Sequence, residues 1–107
     1  MLLNIFKKIY YEKYSKKSYS ISNVDLIIDR IFSNKKEGIY VDVGCNHPIK
    51  FNNTYLLYKR GWNGINIDLD NDSIKQFNKL RKRDVNIKTL VTSFDGEEKN
   101  LYFYHNR

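Results

Sequence analysis

The chain has 107 residues, which suits one domain of modest size but is short for a doubly wound α/β enzyme, whose βαβ units each take roughly 30 residues or more. Nineteen Lys and Arg against twelve Asp and Glu leave a formal charge of +7, which draws attention to anionic partners. The single cysteine, Cys45, excludes an internal disulfide and a cysteine-built zinc cluster, and it suits a reducing compartment such as the cytoplasm.

The charge has two readings. One is an affinity for nucleic acid or for an anionic membrane surface. The other is composition bias, because the chain is rich in Lys, Asn, Ile and Tyr, the residues that A/T-rich codons favour. The basic residues are spread along the chain and form no recognisable nucleic-acid motif, so no nucleic-acid partner is expected. No apolar run reaches the roughly 18 residues of a spanning helix. Met1 to Lys8 carries a short apolar patch followed by lysines, without a small-residue cleavage site, and does not read as a signal peptide.

Residues 1–17 read as a basic amphipathic helix. Leu2, Ile5, Phe6, Ile9, Tyr10 and Tyr14 recur at helical spacing, and Lys7, Lys8, Lys13, Lys16 and Lys17 fill much of the remaining surface. Such a helix either docks on a membrane surface or packs its stripe on the domain. Ser15 to Ser20 is polar and reads as a linker. A second helix is expected at about 22–34, with Ser22 and Asp25 at capping-box spacing and Val24, Ile27, Ile28, Ile31 and Phe32 on one apolar face. Asn34 to Gly38 breaks it.

From residue 38 the pattern becomes α/β. Ile39 to Val43 is a β-rich run ending at Gly44. Asn52 or Asn53 caps a helix carrying Tyr55, Leu56, Leu57 and Tyr58, and Gly61 is placed to stop it. Gly64 to Asp68 is a second strand. Asn71 or Asp72 caps a helix with Ile74, Phe77 and Leu80 on one face. Val85 to Val91 is a third strand, Asp95-Gly96 a turn, and Leu101 to Tyr104 a fourth, antiparallel strand. Strands alternating with helices argue for a parallel sheet of βαβ units over residues 18–107. The length predicts about three parallel strands and a truncated domain.

The chemistry centres on Tyr40-Val41-Asp42-Val43-Gly44-Cys45-Asn46-His47. A hydrophobic strand runs into an acidic residue, a glycine and a small residue, then a loop. In such sheets ligands sit outside the carboxyl ends of the strands. A glycine there admits a ligand that a side chain would hold off, and Asp42 can orient the loop or accept from a ligand ammonium. The second and third glycines of G-x-G-x-x-G are missing, which argues against a dinucleotide. Asp68 ends the next strand, 68 − 42 = 26 residues on. A carboxylate there either receives both ribose hydroxyls of a nucleoside, caps the next helix or faces solvent; Asp70 and Asp72 are also available to cap.

The run from Tyr40 through Thr54 to Tyr58, with Gly61-Trp62-Asn63-Gly64-Ile65-Asn66-Ile67-Asp68, resembles the FkbM-type methyltransferases. Ser18-Tyr19-Ser20, Asp25-Leu26-Ile27 and Arg83-Asp84 extend the likeness over roughly residues 18–104. The resemblance implies a Rossmann-like (class I methyltransferase) fold, S-adenosyl-L-methionine as cofactor, and O-methyl transfer to a sugar or natural-product hydroxyl. It implies the methionine end of the cofactor near Asp42, Gly44 and Asn46, the ribose at Asp68, and adenine contacts from Leu69 or the Val91-Thr92 region. His47 and Asn53 match a subgroup pattern, His47 either as a contact group or as a structural one. Cys45 stands where the family usually has alanine and reads as a packing substitute. Trp62 reads as core.

The sequence departs from the family at Ile21, Asn23 and Val24, where a glutamine and a Gly-Glu pair are expected, and at Asp70, where proline or asparagine is common. The family's later strands have no counterpart before Arg107, so no catalytic base is named. The expected acceptor is a small molecule or a glycan. The open sheet edge is expected to self-associate or to recruit a partner chain. The rival readings are a non-catalytic remnant of such an enzyme and a basic nucleic-acid or membrane-surface module. Peripheral membrane contact through residues 1–17 belongs to either.

Overall fold

A computed structural model describes residues 1–93 and Asn100. The expected turn at Asp95-Gly96 and the expected strand at Leu101 to Tyr104 lie outside the described residues. The chain forms helix α1 (Leu2–Tyr14), a 3-10 turn (Ile21–Asn23), helix α2 (Val24–Ile31), strand β1 (Ile39–Val43), helix α3 (Tyr55–Lys59), strand β2 (Asn63–Asp68), helix α4 (Asn71–Leu80) and strand β3 (Val85–Lys88). This is an α/β unit around a small open sheet of order β1-β2-β3, parallel throughout. No helix among the described residues is long and apolar enough to cross a membrane.

Several boundaries move for identifiable reasons. The helix expected at 22–34 splits into a 3-10 turn and α2, because Ser22 and Asn23 both take left-handed backbone angles, φ 58° and 59°. The Ser22–Asp25 capping box therefore does not form. Ser20 takes the Asp25 amide instead, at 3.0 Å. The Asp25 carboxylate receives the hydroxyls of Ser18 (2.6 Å) and Ser20 (2.9 Å) and the amides of Tyr19 and Leu26. The segment expected as a linker is thus anchored at its C-terminal end. The third strand stops at Lys88 rather than Val91, because its partner β2 ends at Asp68. Thr89 closes the ladder by donating its amide to the Asp68 carbonyl at 3.0 Å.

Other signals hold. Asn52 Oδ1 receives the amides of Thr54 and Tyr55 at the start of α3. Gly61, at φ 102°, stops that helix after Arg60. Asp70, rather than Asn71 or Asp72, caps α4 by accepting the Ser73 amide.

The register divides the sheet into two unlike faces. Tyr40 pairs with Gly64, Asp42 with Asn66, and Asp68 with Lys88, so these point one way. That side is covered: Leu57 and Trp62 pack on Tyr40, and α4 contributes Ile74 and Phe77 against Cys45. A side chain on Gly64 would collide with Tyr40, whose ring lies over it. The other face carries Ile39, Val41, Val43, Val85 and Ile87, each more than a third exposed, and Ile65 and Ile67, half-buried. The covered side is thus partly polar and the uncovered side apolar.

Candidate functional site

The carboxyl ends of the three strands form a crevice of about 220 Å³, lined by Val43, Gly44, Ile67, Asp68, Leu69, Thr89, Leu90 and Val91. Gly44 leaves β1 at φ 72°, a left-handed angle that any side chain would strain, and a Cβ built on it meets nothing within 4 Å. The space beside it is open. Its amide and that of Cys45 both donate to the Ile67 carbonyl, at 2.8 and 3.2 Å, drawing the loop against the end of β2.

Asp68 is the hinge of this loop. One carboxylate oxygen receives the Asn46 amide at 2.8 Å and the other the Asp70 amide at 2.9 Å. Each oxygen retains a lone pair for a further donor. Asn46 adopts φ 59°, which asparagine tolerates better than most residues.

Asp42 turns away from the crevice, under the sheet. Its Oδ2 receives the Thr54 hydroxyl at 3.1 Å and the Asn52 side-chain amide at 3.4 Å. Burial raises its pKa above the ordinary carboxylate value, and these donors with the nearby Arg81 only partly offset that. Cys45 is buried, and burial, with the negative charges of Asp42 and Asp68 nearby, pushes its thiol up to about 12. A thiol held protonated is a packing group rather than a nucleophile.

A buried ionic network supports the crevice from below. Arg81 and Asp84, joined at 2.9 Å, have side chains fully withdrawn from solvent. Arg81 also donates to the Pro48 carbonyl, the Tyr40 hydroxyl and the Thr54 hydroxyl, and stacks on Tyr58. Asp84 receives the Tyr40 hydroxyl, the Gly64 amide and the Asn66 side-chain amide. The network links β1 and β2 to the turn leading into β3 and to the loop that carries Pro48 and Asn52. Burial, then the Asp84 hydrogen bond, raises the Tyr40 hydroxyl above its usual range.

Of the residues expected from sequence, Gly44, Asp68, Leu69 and Val91 line the crevice, and Asn46 joins it through its amide. Asp42 does not line it. His47 accepts the Ile49 and Lys50 amides on Nδ1, at 3.1 and 3.0 Å, so it braces the loop after β1. Burial and the Lys50 charge keep its pKa low, which suits an accepting nitrogen. Asn53 is exposed, beside a groove along β1 and α2. Trp62 is core. Thr89 and Leu90 were not anticipated. Their signal was the place where β3 must stop once β2 runs out of partners.

The crevice is small. Sites for complete small ligands run to roughly 300 Å³ and more, so a volume of about 220 Å³ has room for only part of such a ligand. An acidic acceptor sits at one side, an open glycine at another, and Leu69, Leu90 and Val91 supply apolar contact. No family model, curated protein or solved structure matches this chain.

Proposed function

We propose that this crevice binds S-adenosyl-L-methionine and that the chain serves a Rossmann-like methyltransferase of the FkbM type, acting on a hydroxyl of a small molecule or glycan. The observation that carries the reading is Asp68 at the end of β2, lining a crevice that the bare backbone of Gly44 also lines. The likeness over Tyr40 to Asp68 supplies the chemistry.

In this reading the free lone pairs of Asp68 accept the ribose hydroxyls. Gly44 admits the ligand backbone-close, and Leu69, with Leu90 and Val91, covers the adenine. Asp42 acts at one remove, holding Asn52 and Thr54 and with them the loop at the floor of the site. The bound sulfonium supplies an already activated methyl group. The chain's own work is to bind and orient, where alignment contributes most of the rate.

Titration calorimetry with S-adenosylhomocysteine, with NAD as the control, tests this. Binding of the first in preference to the second is expected. Equal affinity, or no binding by the folded chain, would remove the reading.

A further inference from the structure

We infer that α1 docks this chain on an anionic bilayer surface, lying in the headgroup plane with Leu2, Ile5, Phe6 and Ile9 toward the acyl chains. The inference goes beyond the cofactor reading and does not depend on it. Helical spacing puts these four residues on one side of α1 and Asn4, Lys7 and Lys8 on the other. A helix that packed its stripe on its own domain would bury those four. They are 69 %, 50 %, 64 % and 55 % exposed.

The helix is tethered at its far end. Lys16 reaches Asp29 at 2.7 Å, and Ser18 and Tyr19 bind Asp25. The domain thus holds the segment after α1 while the apolar side of α1 stays bare.

Charge identifies the occupant. Residues 1–17 carry five lysines against one glutamate, 5 − 1 = +4, and the whole chain is +7, so nothing in its net charge opposes an anionic surface. A nucleic acid would satisfy the lysines but would leave four large apolar side chains in water. A second copy of α1 would cover the apolar side but would leave the lysines without an anionic partner and would pair two +4 segments. An anionic bilayer meets both demands. Thirteen residues at about 1.5 Å each give roughly 20 Å, too short to span a hydrocarbon core of about 30 Å, so the helix lies on the membrane.

The experiment is flotation of the full chain with vesicles of two parts phosphatidylcholine to one part phosphatidylglycerol, against phosphatidylcholine alone, at low and physiological salt. Association with the anionic vesicles, weakening with salt, is expected. The K7E/K8E chain should lose at least about tenfold in partitioning. The F6S/I9S chain should lose as much with no change of charge. Emission from Trp62, which is buried and is the chain's only tryptophan, confirms that each variant keeps its fold. Failure to associate at low salt would overturn the inference. So would equal binding to both vesicle types, or indifference to either double substitution. Loss of self-association by F6S/I9S in vesicle-free solution, with vesicle binding unchanged, would assign the stripe to a second copy and also overturn it.

Discussion

The Asn46 amide donates to the Asp68 carboxylate at 2.8 Å, tying the loop after β1 to the end of β2. That bond requires Asn46 to hold φ 59°. The left-handed region costs an ordinary L-residue roughly 1–2 kcal/mol, and a β-branched one at least as much. Asn46→Gly should therefore leave stability unchanged or slightly higher, because the amide remains and the strain goes. Asn46→Val should lower it by about 1–2 kcal/mol. Urea unfolding followed by Trp62 emission measures both. Equal stability of the two variants would show that this loop conformation is not held as described.

Arg81 is the largest fully buried side chain, and its partners are all buried polar groups. Removing one member of a buried ion pair strands the other and costs about 3–5 kcal/mol. Arg81→Met should approach the whole stability of a domain this small. Arg81→Lys should also be costly, because an ammonium cannot reach Asp84, Pro48, Tyr40 and Thr54 together. Chemical denaturation of both variants checks this. A lysine variant as stable as the parent would contradict the network's role.

Acid stability should be non-monotonic. Burial alone would raise the Asp25 carboxyl, but hydrogen bonds from Ser18, Tyr19, Ser20 and Leu26 outweigh it and hold the carboxyl low. Asp29 is likewise held low by Lys16 and Arg60 against the effect of burial. Stability from these two is fully present above the ordinary value of 3.8 and is lost as pH falls through the depressed folded-state values. Asp42 has the opposite sign. Its folded-state pKa is raised, so its contribution is present below 3.8 and is lost as pH rises through the raised value. Thermal unfolding in steps from neutral pH should first show a small gain as Asp42 protonates, then a fall as Asp25 and Asp29 do. Asp42→Asn should remove the gain, and Asp25→Asn should flatten the fall. An acid limb unchanged by Asp25→Asn would contradict the assignment.

The bare sheet face predicts concentration-dependent association. Ile39, Val41, Val43 and Val85 are each more than half exposed, and together they exceed the scattered apolar residues normal on a monomer. The edge of β1 away from β2 has no partner strand among the described residues, and an apolar edge is a template for pairing. Size-exclusion chromatography over a range of loadings should show a shift that Val41→Lys reduces. A monomer at every loading would show that neither surface is sticky.

The sheet was legible from sequence because its signals are local. Ile39 to Val43 is a β-branched and aromatic run, Gly61 stops a helix, and Asp68 follows an apolar strand. The polar underside was not legible. In Leu80-Arg81-Lys82-Arg83-Asp84 nothing local says which cation is buried, and an i,i+3 Arg–Asp pair looks like surface decoration. The available clue was that Tyr40 and Asn66 fall on the same side of their strands and need a polar partner there. Asp42 was half legible. Of its two expected uses, orienting the loop is the one the structure shows: Asn52 and Thr54, ten and twelve residues on, take its carboxylate one step inside the strand end, while Asp68 on the same side stands at the strand end and lines the crevice. Ser22 and Asp25 had capping spacing, but two left-handed residues break it, and the Asp25 amide goes to the Ser20 hydroxyl instead.

The most direct test of the central claim is S-adenosylhomocysteine affinity measured side by side on the parent chain, Asp68→Ala and Gly44→Ala. The account predicts binding by the parent. It predicts weakening by about 1–3 kcal/mol in Asp68→Ala, the cost of hydroxyls left without their acceptor. In Gly44→Ala the Cβ enters the open space beside the crevice, so affinity should fall, separately from the roughly 1–2 kcal/mol of backbone strain that lowers stability. Folded parent protein that fails to bind, or binding that neither substitution disturbs, would contradict it.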